Sequence, residues 1–150
     1  MAHLLEGTTL KLQDGTEVKA ENYLEGKVVG LYFSASWCPP CRAFTPKLKR
    51  FYEQIKKEHP EFEVVFVSRD REDDALVEYF NDHMGEWTYI PFGNEKIQEL
   101  LAKYEVKTIP SMRIVKPDGT VVVKDARTEI QEKGIDAPND LWEEWLAFYD

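Results

Sequence analysis

Residues 37–41 read Trp37-Cys38-Pro39-Pro40-Cys41, and Cys38 and Cys41 are the only cysteines among 150 residues. Two thiols separated by two residues form a pair suited to thiol–disulfide exchange. The apolar run Val28-Val29-Gly30-Leu31-Tyr32-Phe33 before them reads as a fully buried strand, and Arg42-Ala43-Phe44-Thr45-Pro46-Lys47-Leu48 after them opens an amphipathic helix. Unpaired amides in the first turn of a helix carry partial positive charge and favour a thiolate over a thiol. Cys38 is therefore read as the exposed nucleophile and Cys41, one turn further in, as the buried resolving thiol. Pro39 and Pro40 both lack an N–H, so the Cys41 amide is left to help the thiolate. Stabilisation is then moderate, and the pair is expected to act as a reductant. Trp37, beside the nucleophile, is expected to form a flat apolar rim for a partner chain. The competing readings of the pair are half of a zinc site or a structural disulfide. A structural zinc site takes four nitrogen or sulfur ligands at motif spacing, whereas His3, His59 and His83 are scattered and read as surface polar residues.

The elements that position this pair follow from periodicity. Thr8-Leu10-Leu12, the turn signal Asp14-Gly15 and Glu17 to Ala20 read as a short hairpin or edge pair. A turn or short helix ends at Gly26, and residues 27–35 form the central strand. A long helix is predicted over 39–58, apolar along Phe44, Leu48, Phe51, Tyr52 and Ile55, with a kink at Pro46. Residues 62–68 form a second buried strand. A helix over 72–83 points Leu76, Val77 and Phe80 inward, and Asn94 caps a shorter helix burying Ile97, Leu100, Leu101 and Tyr104. Residues 110–116 and 120–124 pair as a hairpin across Pro117-Asp118-Gly119. The last helix, over 139–148, carries Leu141, Trp142, Trp145, Leu146 and Tyr149 as apolar positions. Strands that alternate with helices and then close in an antiparallel hairpin predict an α/β fold, a mixed sheet covered by helices on both faces.

The bulk numbers bound the rest. A length of 150 residues suggests a single domain over 1–150, with 43% apolar and 31% charged residues. A net charge of −9 argues against nucleic-acid binding, which needs a basic face. No apolar run approaches the ~20 residues of a membrane span, and residues 1–7 lack the pattern of a secretory signal. The expected location is the cytoplasm, or also the nucleus, where a close cysteine pair is catalytic or metal-binding more often than a staple.

In this order, Trp-Cys-x-x-Cys after a buried strand, Pro46 five residues after the second cysteine, Ile109-Pro110 entering a strand, and a closing hairpin plus helix resemble the thioredoxin fold. The stretch from Tyr32 to Arg42, with Pro-Pro between the cysteines, resembles the tryparedoxin and nucleoredoxin branch, as do Phe44-Thr45-Pro46, residues 62–68 and Pro91-Phe92. The resemblance implies a dithiol–disulfide oxidoreductase acting on protein or small disulfides through Cys38 and Cys41. It implies a cis Ile109-Pro110 bond facing Cys38, leaving the Ile109 backbone free to pair with an extended substrate. It implies substrate contact for Arg127, which by residue type alone reads, like Asp70, as a solvated charge. Tyr32 stands where thioredoxins carry a buried aspartate, and reads equally as a packed core tyrosine or as the organiser of a relay water. No metal or organic cofactor is implied. There is no Gly-x-Gly-x-x-Gly fingerprint, so electrons are expected from NADPH through a separate reductase, or from glutathione. A different class of function, a nucleoredoxin-like module in which the disulfide gates partner binding, fits the same residues. Arg69-Asp70-Arg71 departs from the tryparedoxin pattern by placing a base where that family has an acid.

Overall fold

The structure, a computed structural model, describes residues 4–149. Seven strands form one sheet: β1 (Thr9–Lys11), β2 (Glu17–Lys19), β3 (Val28–Ser34), β4 (Phe62–Ser68), β5 (Thr88–Tyr89), β6 (Ser111–Val115) and β7 (Val121–Val123), in the spatial order β2-β1-β5-β4-β3-β6-β7. β3, β4 and β5 run parallel, and β1–β2, β1–β5, β3–β6 and β6–β7 pair antiparallel, so the sheet is mixed as the pattern predicts. The helices are α1 (Ala20–Tyr23), α2 (Pro39–Glu58), α3 (Asp73–His83), α4 (Lys96–Lys103), α5 (Ala126–Glu129) and α6 (Pro138–Tyr149), with a π-helical turn, Ile130–Gly134, between the last two.

β3 and β4 are buried along their whole length, which is why they read as unbroken apolar runs. Their side chains alternate between two cores. Val28, Tyr32, Phe62, Val64 and Phe66 pack under α2, α3 and α6, with Phe44, Leu48, Phe51, Leu76, Phe80, Trp142 and Trp145. Val29, Leu31, Phe33, Val65 and Val67 pack on the opposite face, against Ala20, Leu24, Ile97 and Leu100 of the α1 and α4 regions. A Cβ at Gly30 would meet the terminal methyl of Met112 of β6, so a larger residue there would require that side chain to move. α2 spans the predicted residues and continues through Pro46. The Asn94 side chain accepts the Lys96 N–H at 2.8 Å at the head of α4, as its cap-like position implies.

Register sets the site. β3 and β4 end side by side at Ser34 and Ser68, and β6, running the other way, begins at Ser111 opposite Phe33. Three loops, at residues 35–38, 69–72 and 104–110, therefore meet at one end of the sheet. Ligand sites of open α/β sheets gather at the carboxyl ends of the parallel strands.

Candidate active site

Cys38 is the N-cap of α2, with Pro39 and Pro40 exposed in the first turn. The missing proline N–H groups make the Cys41 amide the first donor of the helix, and it points at Cys38 Sγ from 3.3 Å. Cys38 and Cys41 are joined by a disulfide, with Cα atoms 5.2 Å apart. Cys38 is 5% exposed and Cys41 fully buried, so the expectation of an exposed Cys38 is corrected. In the disulfide its sulfur turns inward onto Ala35, Cys41 and Ile109. The order of access, Cys38 outside Cys41, is as expected. The Ile109–Pro110 bond is cis, and the Ile109 carbonyl oxygen lies 3.8 Å from Cys38 Sγ.

Trp37 is 52% exposed beside the pair, and its indole N–H donates to the Arg69 carbonyl at 3.3 Å. The loop that carries it is held from beneath. Asp70 accepts the Ser36 amide at 2.9 Å, the Ser36 hydroxyl, and the Ser68 hydroxyl at 2.7 Å. Arg42 Nη1 donates to the Ser36 carbonyl at 3.0 Å, and its Nη2 lies 3.1 Å from His83 Nε2. Asp70 is thus a clamp on the loop before Trp37, not the solvated charge its type suggested. Its partner lies 34 residues away, brought close by the Ser34–Ser68 register. Arg127 is half-buried on α5, with Nε buried and unpaired, and does not line the groove beside Trp37. The histidines are less uniformly surface residues than expected. His59 stacks on Trp142 at 5.1 Å, His83 is exposed against Arg42, and His3 lies outside the described residues.

Tyr32 is a packed core tyrosine, and burial pushes its phenol far above the ordinary tyrosine range. Its OH lies 2.7 Å from Thr45 Oγ1, which also meets Tyr79 OH at 2.6 Å and donates to the Cys41 carbonyl at 2.9 Å. Thr45 has one hydroxyl proton, committed to Cys41, so both phenols must donate to Thr45, and Ser34 Oγ donates to Tyr79 OH at 3.0 Å. This directed chain secures the first turn of α2 from below. Periodicity points Leu76, Val77 and Phe80 inward on α3 and leaves out Tyr79, which is buried there. A tyrosine three residues after the inward Leu76 is the available signal. Thr45→Val removes the acceptor of two buried phenols, and is expected to lower stability by about 2 kcal/mol in a denaturant melt. A loss below ~0.5 kcal/mol would show that the phenols find other partners.

A family model described as Thioredoxin-like covers residues 26–121. Probable nucleoredoxin 1 of Arabidopsis thaliana is 41% identical over 125 residues, 83% of this chain and 21% of that protein. The chain spans about a fifth to a third of the curated nucleoredoxins it matches. The crystal structure of thioredoxin from Wuchereria bancrofti superposes with a TM-score of 0.84 at 45% identity, covering 97% of this chain and 99% of that one. A tryparedoxin II complexed with glutathionylspermidine gives a TM-score of 0.76 at 33% identity, with 84% and 86% coverage. The matched stretch runs from the turn before β3 to the first residue of β7, taking in all three loops around the dithiol, and the chain belongs to the thioredoxin-like family.

Proposed function

We propose that the protein reduces disulfides by turnover of the Cys38–Cys41 dithiol. The observation that carries this reading is the Cys41 amide directed at Cys38 Sγ at the head of α2, beneath the Ile109 carbonyl. The Cys38 thiolate attacks one sulfur of a substrate disulfide, forming a mixed disulfide and expelling the other sulfur as a thiolate. Cys41, deprotonated, then attacks Cys38 Sγ and expels the second substrate thiolate. The two thiol protons pass to the leaving thiolates. The substrate gains two electrons, and the protein is left with its internal disulfide. A separate NADPH-linked reductase or glutathione restores the dithiol.

Cys38 attacks and Cys41 resolves. Trp37 and the free Ile109 backbone receive an extended substrate segment, with Pro110 holding that loop in place. Disulfide-bearing proteins and small disulfides are both candidates, in keeping with the tryparedoxin neighbour that holds glutathionylspermidine.

The second reading, a module whose disulfide gates partner binding, draws on the nucleoredoxin relatives and on the exposed Trp37. Insulin disulfide reduction separates the two. With dithiothreitol as electron source, catalytic protein is expected to reduce many equivalents of insulin well above the reagent rate. Consumption of a single equivalent followed by arrest would sink the turnover reading and favour redox-gated binding.

A further inference from the structure

Beside the dithiol runs a groove of about 470 Å³. That is the size of a small-molecule site, not of a protein docking face. Its lips are two exposed aromatic rings, Trp37 and Phe92, and its charged residues are Arg69, Asp70, Arg71 and Glu95. The Asp70 carboxylate keeps its charge but is turned to the neutral donors of Ser36 and Ser68, and among the described residues it forms no ion pair with Arg69 or Arg71. Among the described residues neither Arg69 nor Arg71 forms an ion pair, and the Arg71 guanidinium rests over the Trp37 ring, 5.6 Å from its centroid. Two guanidinium groups without an ion-pair partner therefore line a groove that begins at Trp37, the residue next to Cys38, in a protein whose net charge is −9. A planar guanidinium stacked on an aromatic face keeps its in-plane N–H fork free, and that fork matches a carboxylate. Asn94 adds an amide to the same wall. Glu95, on the helical side, and Asp70 are the two acids of the groove that a bound carboxylate must avoid.

We propose that this groove selects small disulfides carrying carboxylates, with Arg69 and Arg71 as the residues that determine specificity. The inference rests on the reading of the dithiol as a disulfide reductase. The reaction is the one already written: two electrons from the Cys38–Cys41 dithiol divide one substrate disulfide into two thiols. The arginines act on encounter and orientation, and move no electrons.

The test is single-turnover oxidation of pre-reduced full-chain protein, followed by tryptophan fluorescence, with three probes. These are oxidised glutathione (anionic), hydroxyethyl disulfide (neutral) and cystamine (cationic). Each rate is divided by that of a free small thiol with the same disulfide, which removes intrinsic reactivity. The corrected rates are expected to fall from anionic to neutral to cationic. The anionic-to-cationic ratio should be on the order of tenfold at low ionic strength, and should shrink towards one in high salt. The double variant Arg69→Glu with Arg71→Glu should invert the order, while the double lysine variant should keep its direction. Equal corrected rates in low salt overturn the proposal. So does a wild-type preference that survives the double glutamate variant, because the selecting charge then lies elsewhere. Failure to reduce even the neutral disulfide overturns the reductase reading itself, and the proposal with it.

Discussion

Cys38→Ser and Cys41→Ser are each expected to bring disulfide turnover down to the reagent background, and to do so in different ways. The nucleophile in exchange is a thiolate, and a serine hydroxyl is not ionised near neutral pH. The expected fall is at least about a thousandfold, equivalent to roughly 4 kcal/mol of transition-state stabilisation. What separates the variants is the covalent chemistry that remains. Cys41→Ser keeps the outer sulfur, with the residue 41 amide still 3.3 Å away to stabilise its charge. Substrate disulfides should therefore attach to Cys38 and stay, because nothing attacks the mixed disulfide from within. Cys38→Ser leaves only the fully buried sulfur, under Ala35 and Ile109, and adducts should form slowly if at all. Mass spectrometry after exposure to oxidised glutathione reads both outcomes. Rapid stoichiometric adducts on Cys38→Ser, or equal alkylation of the two thiols in the reduced wild type, would reverse the assignment of roles.

Much of the fold around that site could be read from residue order, because its central pieces are long and periodic. β3, β4 and α2 each carry enough consecutive or helically spaced apolar residues to announce themselves, and the dithiol stands at a junction between two of them. The parts that escaped are short or depend on register. β5 has two residues, too few for any period, and α5 with its π-helical turn offers no repeated pattern. Asp70 looks like a loop charge until the pairing of Ser34 with Ser68 brings Ser36 onto its carboxylate. Thr45 and Tyr79 are polar letters on apolar faces, and only the packed helices reveal that their hydroxyls satisfy one another. Cys38 was expected outside because helix starts face solvent, but the loop at Ile109 folds over its sulfur. Glu63 is masked by the apolar run around it, and an acid between Phe62 and Val64 is the visible anomaly in that strand.

Glu63→Ala should cause the largest loss of stability, without touching the dithiol. The Glu63 side chain is buried at the start of β4. Its Oε1 accepts the Val64 amide at 3.1 Å and the Tyr52 hydroxyl at 3.3 Å, and its Oε2 lies 3.3 Å from Lys56 Nζ and 3.8 Å from Lys27 Nζ. Removing the anion orphans a buried amide and leaves two ammonium groups facing each other. Breaking a buried ion pair costs about 3–5 kcal/mol. Both lysines are partly exposed, with side chains 22% and 32% accessible, so they can swing their charges to water. The low end, about 3 kcal/mol, is expected, a fall of roughly 10 °C in melting temperature. Glu63→Gln keeps an acceptor for Val64 and should cost about half as much. Adding Lys27→Met and Lys56→Met to Glu63→Met should recover most of the loss, since a well-packed apolar trio has no charge left to solvate. The same cluster sets an alkaline limit. Tyr23 is raised to about 12, by burial first and by Glu63 second, and Tyr52 is raised for the same reasons in the same order. The unfolded chain loses these phenolic protons near pH 10 while the folded protein still holds them, so stability should fall as pH rises from 10 towards 12. Lys27, lowered by burial, acts in the opposite direction only up to its unfolded value of 10.5, so it does not offset the phenols above that pH. Glu63 lies five residues down β4 from Ser68, on the order of 16 Å along the strand, so the folded variant should turn over disulfides at the wild-type rate. A melting temperature within 2–3 °C of wild type for Glu63→Ala would mean, at roughly 2–4 °C per kcal/mol, that the cluster holds little of the fold together.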